Sequence, residues 1–268
     1  MTSAVRSVGD LLKSWRELRR VSQLELATEA EVSQKHLSFI ESGRAAPSRE
    51  MVLRLAENLD VPLRERNGLL LAAGFAPVFR DRPLNDPALA QAKASIDQLL
   101  KAHEPYPALT FDRHWNILSA NRAVWSLLHL ADAELLKPPI NVLRVSLHPS
   151  GLAPIIGNLS QWRTHLLDRL RRQLRITGDP ALSALLKELS GFPVGPTGGP
   201  ATPQHGHTED VAVPLCLNTP NGVLSFLSTV TVFGTALDIT LSEVTLEAFY
   251  PATVETAAVL LASRTHPQ

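Results

Sequence analysis

Residues 21 to 44, VSQLELATEAEVSQKHLSFIESGR, constrain the chain most, because they pack two helical patterns into a stretch with almost no connector. Ser22 is a good N-cap, and Glu25 three residues later completes a capping box. Ala27 and Ala30 share a face of the helix that follows and are small enough for another helix to approach closely. Ser33 caps a second helix, whose apolar Leu37 and Ile40 stand i, i+3. Ala30-Glu31-Val32 leaves only a tight turn between the two. Two short helices crossing steeply, with polar Gln34, Lys35 and Ser38 outward, make a helix-turn-helix that fits the DNA major groove.

Around that motif the pattern predicts five helices in about 70 residues. Gly9 to Arg20 carries Leu11, Leu12, Trp15 and Leu18 at helical spacing; Pro47 and Ser48 start a fourth helix, with Met51, Val52, Leu55 and Leu59 as its apolar stripe. Pro62 opens a fifth, which Gly74 stops. Residues 1 to 80 hold 12 Lys/Arg against 10 Asp/Glu, a balance of only +2. A DNA-binding domain normally carries a clearer basic excess, so one copy binds DNA feebly and a dimer is expected. Placement partly offsets the deficit: Arg16, Arg19, Arg20, Lys35, Arg44 and Arg49 fall near the reading unit.

The rest of the chain differs in grain. Phe75 to Asp86, rich in Pro and Arg, reads as a linker, and Asp86-Pro87 starts a connecting helix to about His103. Residues 107–112 and 117–120 read as a hairpin, and Asn121 caps a helix through Leu130. Helices are expected from Ser160 to Arg175 and from Pro180 to Leu189. Residues 191 to 208 are dense in Gly, Pro, Thr and His and read as a loop. Val211–Leu217 and Val223–Phe233 read as two strands, and a last helical stretch runs from Ser242 to about Ser263, broken at Pro251. The expectation is a multi-domain chain: an all-α five-helix repressor-like DNA-binding domain over 1–76, a linker and connecting helix over 77–104, and an α+β domain over 105–268.

Other classes find little support. The longest apolar run, Leu69 to Ala76, is far short of the ~20 residues that span a bilayer, and the N-terminus lacks the order of a signal peptide. With one cysteine, Cys216, there is no disulfide framework, and a cytoplasmic setting is expected. No P-loop, dinucleotide fingerprint or nucleophile elbow is present, so neither a cofactor nor a catalytic residue is expected. His205 and His207 with Glu209 and Asp210 resemble a metal set but lack a third placed histidine. An adaptor whose helix-turn-helix no longer reads DNA is the competing reading, favoured by the charge balance and by Glu31 in the turn.

Residues 9 to 74 resemble the helix-turn-helix domain shared by phage repressor and Cro proteins and the xenobiotic-response-element family, through Gln23, Ala27, Val32, Ser33, Leu37, Ile40, Glu41 and Gly43 at the family's spacing. The resemblance implies that Gln23 touches phosphate and that Ser33, Gln34, Lys35, Ser38 and Phe39 face the major groove, with Arg44 close by. The chemistry suits those roles: Gln34 can bridge adenine N6 and N7, Lys35 can donate to guanine, and Phe39 can pack on a thymine methyl. The family usually has Gly where Glu31 stands, since that position sits at φ > 0.

The second half resembles the PAS-like ligand-binding domain of the MmyB-like transcription regulators, through residues 106–121, 141–152, 158–170 and 228–243. That resemblance implies a ligand-responsive regulator and a small apolar or fatty-acid-like effector in a mostly apolar pocket. Trp115, Trp125, Trp162, Phe226 and Phe233 are candidate walls, and Arg144, His148, Asn158, Arg163 and His165 candidate polar contacts. A ligand carboxylate would meet Arg144 or Arg163. The expected partners are double-stranded operator DNA, the effector and a second copy of the chain, with no membrane.

Overall fold

The computed structural model describes residues 6–193, 212–220, 222–234 and 236–264. The chain divides into two compact units, Met1–Pro83 with Thr235–Ser242, and Leu84–Gly234 with Glu243–Gln268.

The first unit is all-helical, with α1 Val8–Arg19, α2 Gln23–Glu29, α3 Gln34–Glu41, α4 Arg49–Asn58 and α5 Leu63–Ala72. Local sequence sets its boundaries. Ser7 with Asp10 and Ser22 with Glu25 form reciprocal capping boxes, while Ser33 and Ser48 cap α3 and α4 from their side chains. One apolar core joins the five helices, with Leu12, Leu26, Leu37, Leu55 and Leu70 fully enclosed. Alanines 27 and 30 are buried there as well. Gly9 lets α1 approach α3 closely: a Cβ on it would stand 2.3 Å from the Ile40 carbonyl oxygen. Glu31 occupies the motif's turn at φ +54°, the left-handed region that the Gly-to-Glu departure predicts.

The second unit is built on a five-stranded antiparallel sheet. In chain order it holds α6 Ala90–Ala102, β1 Ala108–Phe111, β2 Ile117–Ala120, α7 Arg122–Leu128, α8 Val142–Leu147, α9 Leu159–Thr177, α10 Pro180–Ser190, β3 Leu215–Thr219 and β4 Gly222–Val232. β5 Thr245–Pro251 and α12 Val254–Arg264 follow, while residues 239–242 of the short α11 Ile239–Glu243 count with the first unit. The strand order is β2-β1-β5-β4-β3. One face of the sheet, with Leu109, Phe111, Leu224 and Phe226, packs against α7, α8, α9 and α10 in the larger core. On the other face, Ile96 and Leu100 of α6 pack against Ala108, Val244 and Ala248. The fold is α+β and PAS-like, as the resemblance implied.

One element corrects the sequence reading. Residues 245–251, expected inside a helix from Ser242, form β5, the central strand paired with β1 and β4. A central strand has neighbours on both edges and both faces. Thr245-Leu-Glu-Ala-Phe-Tyr-Pro251 therefore lacks the alternation that marks a half-buried strand. The helix α8 was also hidden in the sequence, since Val142–Leu147 is too short to establish a helical period. β3 begins at Leu215 rather than Val211 and runs on to Thr219, so the tight connection lies between Thr219 and Gly222.

Candidate functional site

The reading surface of the first unit is the exposed side of α3. Ser33, Gln34 and Lys35 are exposed at its N-terminal turn, and Ser38 and Phe39 are half-buried one turn on. The Lys35 ammonium lies 5.7 Å from the centre of the Phe39 ring, and the Arg44 guanidinium 5.9 Å from it. Phe39 thereby gathers two cations beside the polar face, each cation–π contact contributing about 0.5–1 kcal/mol where exposed. Arg44 is placed by the chain reversal after α3, where its backbone N–H donates to the Phe39 carbonyl at 2.8 Å.

Behind this face, Glu41 is buried and accepts from Arg16 Nε and Nη2 at 2.7 and 2.9 Å and from Gln23 Nε2 at 2.8 Å. Burial pushes its carboxyl up, but the hydrogen bonds from Arg16 and Gln23 and the Arg16 charge outweigh that, leaving it below the usual carboxylate range. The same bond holds Arg16 above its ordinary value, against burial. Gln23, expected to touch phosphate, is half-buried and its amide is engaged with Glu41. Its role in the free protein is to lock α2 onto α3.

In the second unit the sheet and helices enclose an apolar cavity of about 80 Å³. Leu109, Trp115, Val124, Trp162, Phe226 and Phe249 are among its walls, and its polar lining residues are Ser146 and Glu247. That volume is well below the ~300–1,000 Å³ of pockets for drug-sized ligands. Trp115 stands at φ +68°, in the left-handed region that bulky residues rarely enter. This turn lays its ring against Phe111, with centroids 4.7 Å apart and planes 8° from parallel. The Arg169 guanidinium lies 4.8 Å from the Trp115 ring, and the indole N–H donates to Gln173 Oε1 at 2.7 Å. Trp162 donates to Ser146 Oγ at 3.1 Å.

Glu247, at the middle of β5, is 5 % exposed and accepts from Arg169 Nη1 at 2.9 Å. Glu247 is among the cavity's lining residues and its ion-pair partner Arg169 is not. Sequence reasoning missed both residues. A single glutamate carries no spacing signature, and its partner lies 78 positions away.

The other expected contacts lie elsewhere. Arg144 is held bidentately by Glu188 at 2.6 and 2.8 Å, and that pair is more than a third exposed. Arg163 Nη2 donates to the carbonyls of Leu189, Ser190 and Phe192, closing the C-terminus of α10, while its Nε is buried without a partner among the described residues. Asn158 sits at the N-cap of α9 but makes no capping bond; its side chain donates to the Pro214 carbonyl and accepts from the Cys216 N–H, tying α9 to β3. His148 packs edge-on against Phe192. His165 stacks on Trp162 at 5.4 Å, and burial, then the Arg169 charge, push its imidazole below the usual value. None of Arg144, His148, Asn158, Arg163 and His165 is among the cavity's lining residues. Trp125 is 38 % exposed, and Phe233 packs with the α6 cluster, so neither is a wall of the cavity. His205, His207, Glu209 and Asp210 lie outside the described residues, among which no group of metal-ligating side chains occurs. No described helix is long and apolar enough to cross a membrane.

Comparison with known proteins agrees with this division. Residues 12–66 match the helix-turn-helix family, and residues 92–262 match the ligand binding domain of MmyB-like transcription regulators. No curated protein matches the chain. Among solved structures, "Structure of an RNA-binding Light-Oxygen-Voltage Receptor" aligns over 98 % of this chain at 16 % identity and a TM-score of 0.25. The chain spans 65 % of that protein's length, and a TM-score so low carries no argument about fold or function.

Proposed function

Because the chain belongs to the MmyB-like transcription regulators, which couple a helix-turn-helix to a ligand-binding domain, we propose that a small apolar effector in the 80 Å³ cavity controls operator binding by α3. Residues 1–76 form the DNA-binding domain, 77–104 the connection and 105–268 the effector domain of a cytoplasmic homodimer. The observation that carries the reading is the cavity, enclosed by residues from β1, α7, α8, α9 and β5 at the centre of the second unit's core. An apolar space of this kind selects apolar molecules, whose burial drives binding.

On the DNA side, the N-terminal turn of α3 presents exposed Gln34 and Lys35, whose side chains make no hydrogen bond among the described residues, and Phe39 holds Lys35 and Arg44 near where phosphates run. The small charge excess of the first 80 residues favours paired half-sites over a single copy. Arg144 and Arg163, the expected anchors for a fatty-acid carboxylate, bind Glu188 and the end of α10 and are not among the cavity's lining residues. The apolar part of the expected effector is therefore retained and its acid head is not.

A gel shift on DNA from upstream of the chain's own gene tests the reading. The wild-type chain should bind as a dimer with sequence preference, and Gln34→Ala with Lys35→Ala should lose that preference. A wild-type chain that binds no DNA above competitor would instead support the adaptor.

A further inference from the structure

The geometry points to a neutral hydrogen-bond donor, a hydroxyl, as the polar group of the molecule that the cavity accepts. This rests on the reading of the cavity as the effector site, and it adds what that site recognises.

Three observations lead there. First, Glu247 is 5 % exposed and lines the cavity, and its one hydrogen bond among the described residues comes from Arg169. A carboxylate has about four acceptor positions, so Glu247 retains capacity toward the lumen. Second, Arg169 packs on the Trp115 ring and binds Glu247, and it is not among the cavity's lining residues. Among the described residues the cavity's lining therefore includes a carboxylate and no cation. A ligand carboxylate would have to lie against the Glu247 carboxylate in a low-dielectric space, where like charges repel strongly. Third, the Glu247–Arg169 pair is already neutral in sum. An ammonium group would place one uncompensated charge in an apolar enclosure, and desolvation opposes that. A hydroxyl avoids both costs. It can donate to Glu247 or accept from the Ser146 hydroxyl, whose oxygen already receives the Trp162 N–H at 3.1 Å, and both residues line the cavity. With about 80 Å³ available, the molecule is a short aliphatic or monocyclic alcohol.

The test compares n-pentanol, n-pentylamine, pentanoate and n-pentane on the full chain near pH ~7, where the acid and amine are ionised. Binding is read from tryptophan fluorescence, since Trp115 and Trp162 both line the cavity. Pentanol should bind at least about tenfold more tightly than each of the other three, the scale of a hydrogen bond to a charged acceptor. In Glu247→Gln the preference for pentanol over pentanoate should fall to within about threefold, and Ser146→Ala should weaken pentanol with little change for pentane. Tighter binding of pentanoate or pentylamine than of pentanol overturns the inference and leaves the cavity as the effector site. Equal binding of pentanol and pentane overturns it too. Failure of all four probes overturns the effector-site reading together with it. Should Glu247→Gln not fold, the wild-type ranking and Ser146→Ala decide.

Discussion

Arg16 on the first helix grips Glu41 on the third through two hydrogen bonds of 2.7 and 2.9 Å, and both side chains are almost wholly enclosed. Gln23 from the second helix adds a third bond to the same carboxylate. Three helices thus meet on one buried charge, at the C-terminal end of the helix whose first turn carries Gln34 and Lys35. The carboxylate faces two opposed effects: burial disfavours its charge, and the fork of Arg16 with the Gln23 amide restores it. Geometry decides in favour of the ion, because the Arg–carboxylate contact is bidentate.

Removing one partner should therefore be far more damaging than the hydrogen-bond count suggests. Arg16→Ala leaves Glu41 buried without a counter-ion, and a loss of about 3–5 kcal/mol is expected. Arg16→Met with Glu41→Leu should recover most of it, since two apolar side chains of similar volume need no desolvation. Urea unfolding of the wild-type chain and the two variants checks this. A loss below ~1 kcal/mol for Arg16→Ala would show that the network is dispensable.

The same carboxylate sets an acid limit. Its pKa is lower in the folded chain than in the unfolded one, so its contribution is complete above the unfolded value and is lost as pH falls through the folded value. Thermal midpoints of the wild-type chain should drop as pH falls below about 4.5. Glu41→Gln, less stable throughout, should flatten this part of the profile. An unchanged slope in that variant would assign the acid sensitivity to other carboxylates such as Asp179 and Glu188, which also lie below their usual range.

Much of the first unit was legible in its sequence because its signals are local. Ser22 with Glu25, Ser33, Ser48 and the i, i+3 leucines act within a few residues and mark where the second, third and fourth helices start, whereas the Ser7–Asp10 box before the first helix emerged only in the structure. In the second unit the decisive pairings are distant. β5 is flanked by strands on both sides, so its composition did not alternate. The Glu247–Arg169 pair and the Trp115–Arg169 stack exist only once α9 crosses the sheet. Of the five aromatic candidates, Trp115, Trp162 and Phe226 line the cavity and Trp125 and Phe233 do not, whereas Arg144 and Arg163 drew attention by charge and have structural partners instead.

Glu31 at φ +54° gives a simple stability test. A non-glycine residue in the left-handed region costs about 1–2 kcal/mol, and glycine's extra unfolded-state freedom takes back about 0.5–1. Glu31→Gly should raise the stability of the first unit by up to about 1 kcal/mol, with DNA affinity little changed. Glu31→Val should lower it, because a β-branched residue fits that conformation worst. A destabilised glycine variant would mean that the Glu31 side chain contributes more than its backbone costs.

Close approach makes the opposite prediction at Gly9. An added methyl would stand 2.3 Å from the Ile40 carbonyl oxygen and 2.8 Å from that of Glu41, and both contacts are rigid backbone. Helix propensity alone favours alanine there by about 1 kcal/mol. The clash should prevail, with Gly9→Ala costing on the order of 1–3 kcal/mol as α1 moves off α3. Denaturant midpoints give the sign directly. A stabilised Gly9→Ala chain would show that the two helices have room to separate without loss.

DNA affinity should separate the cations from the amide on the reading face. Arg44 leans on Phe39 and is exposed beyond the end of α3, where it can neutralise a phosphate. Arg44→Ala should weaken binding to all sequences about equally and reduce the slope of log K against log salt by about 1 per protomer. Gln34 stands at the first position of α3 with its side chain exposed, and Gln34→Ala should cost about 1–3 kcal/mol on the preferred site alone, with little change in salt slope. Phe39→Ala should resemble Arg44→Ala in part, because it frees both Lys35 and Arg44 from the ring that gathers them. Titrations at several salt concentrations, on the preferred site and on a scrambled one, resolve the two patterns. If Arg44→Ala altered site preference and left the salt slope intact, the guanidinium would be contacting a base edge, and the reading surface would extend past the C-terminus of α3.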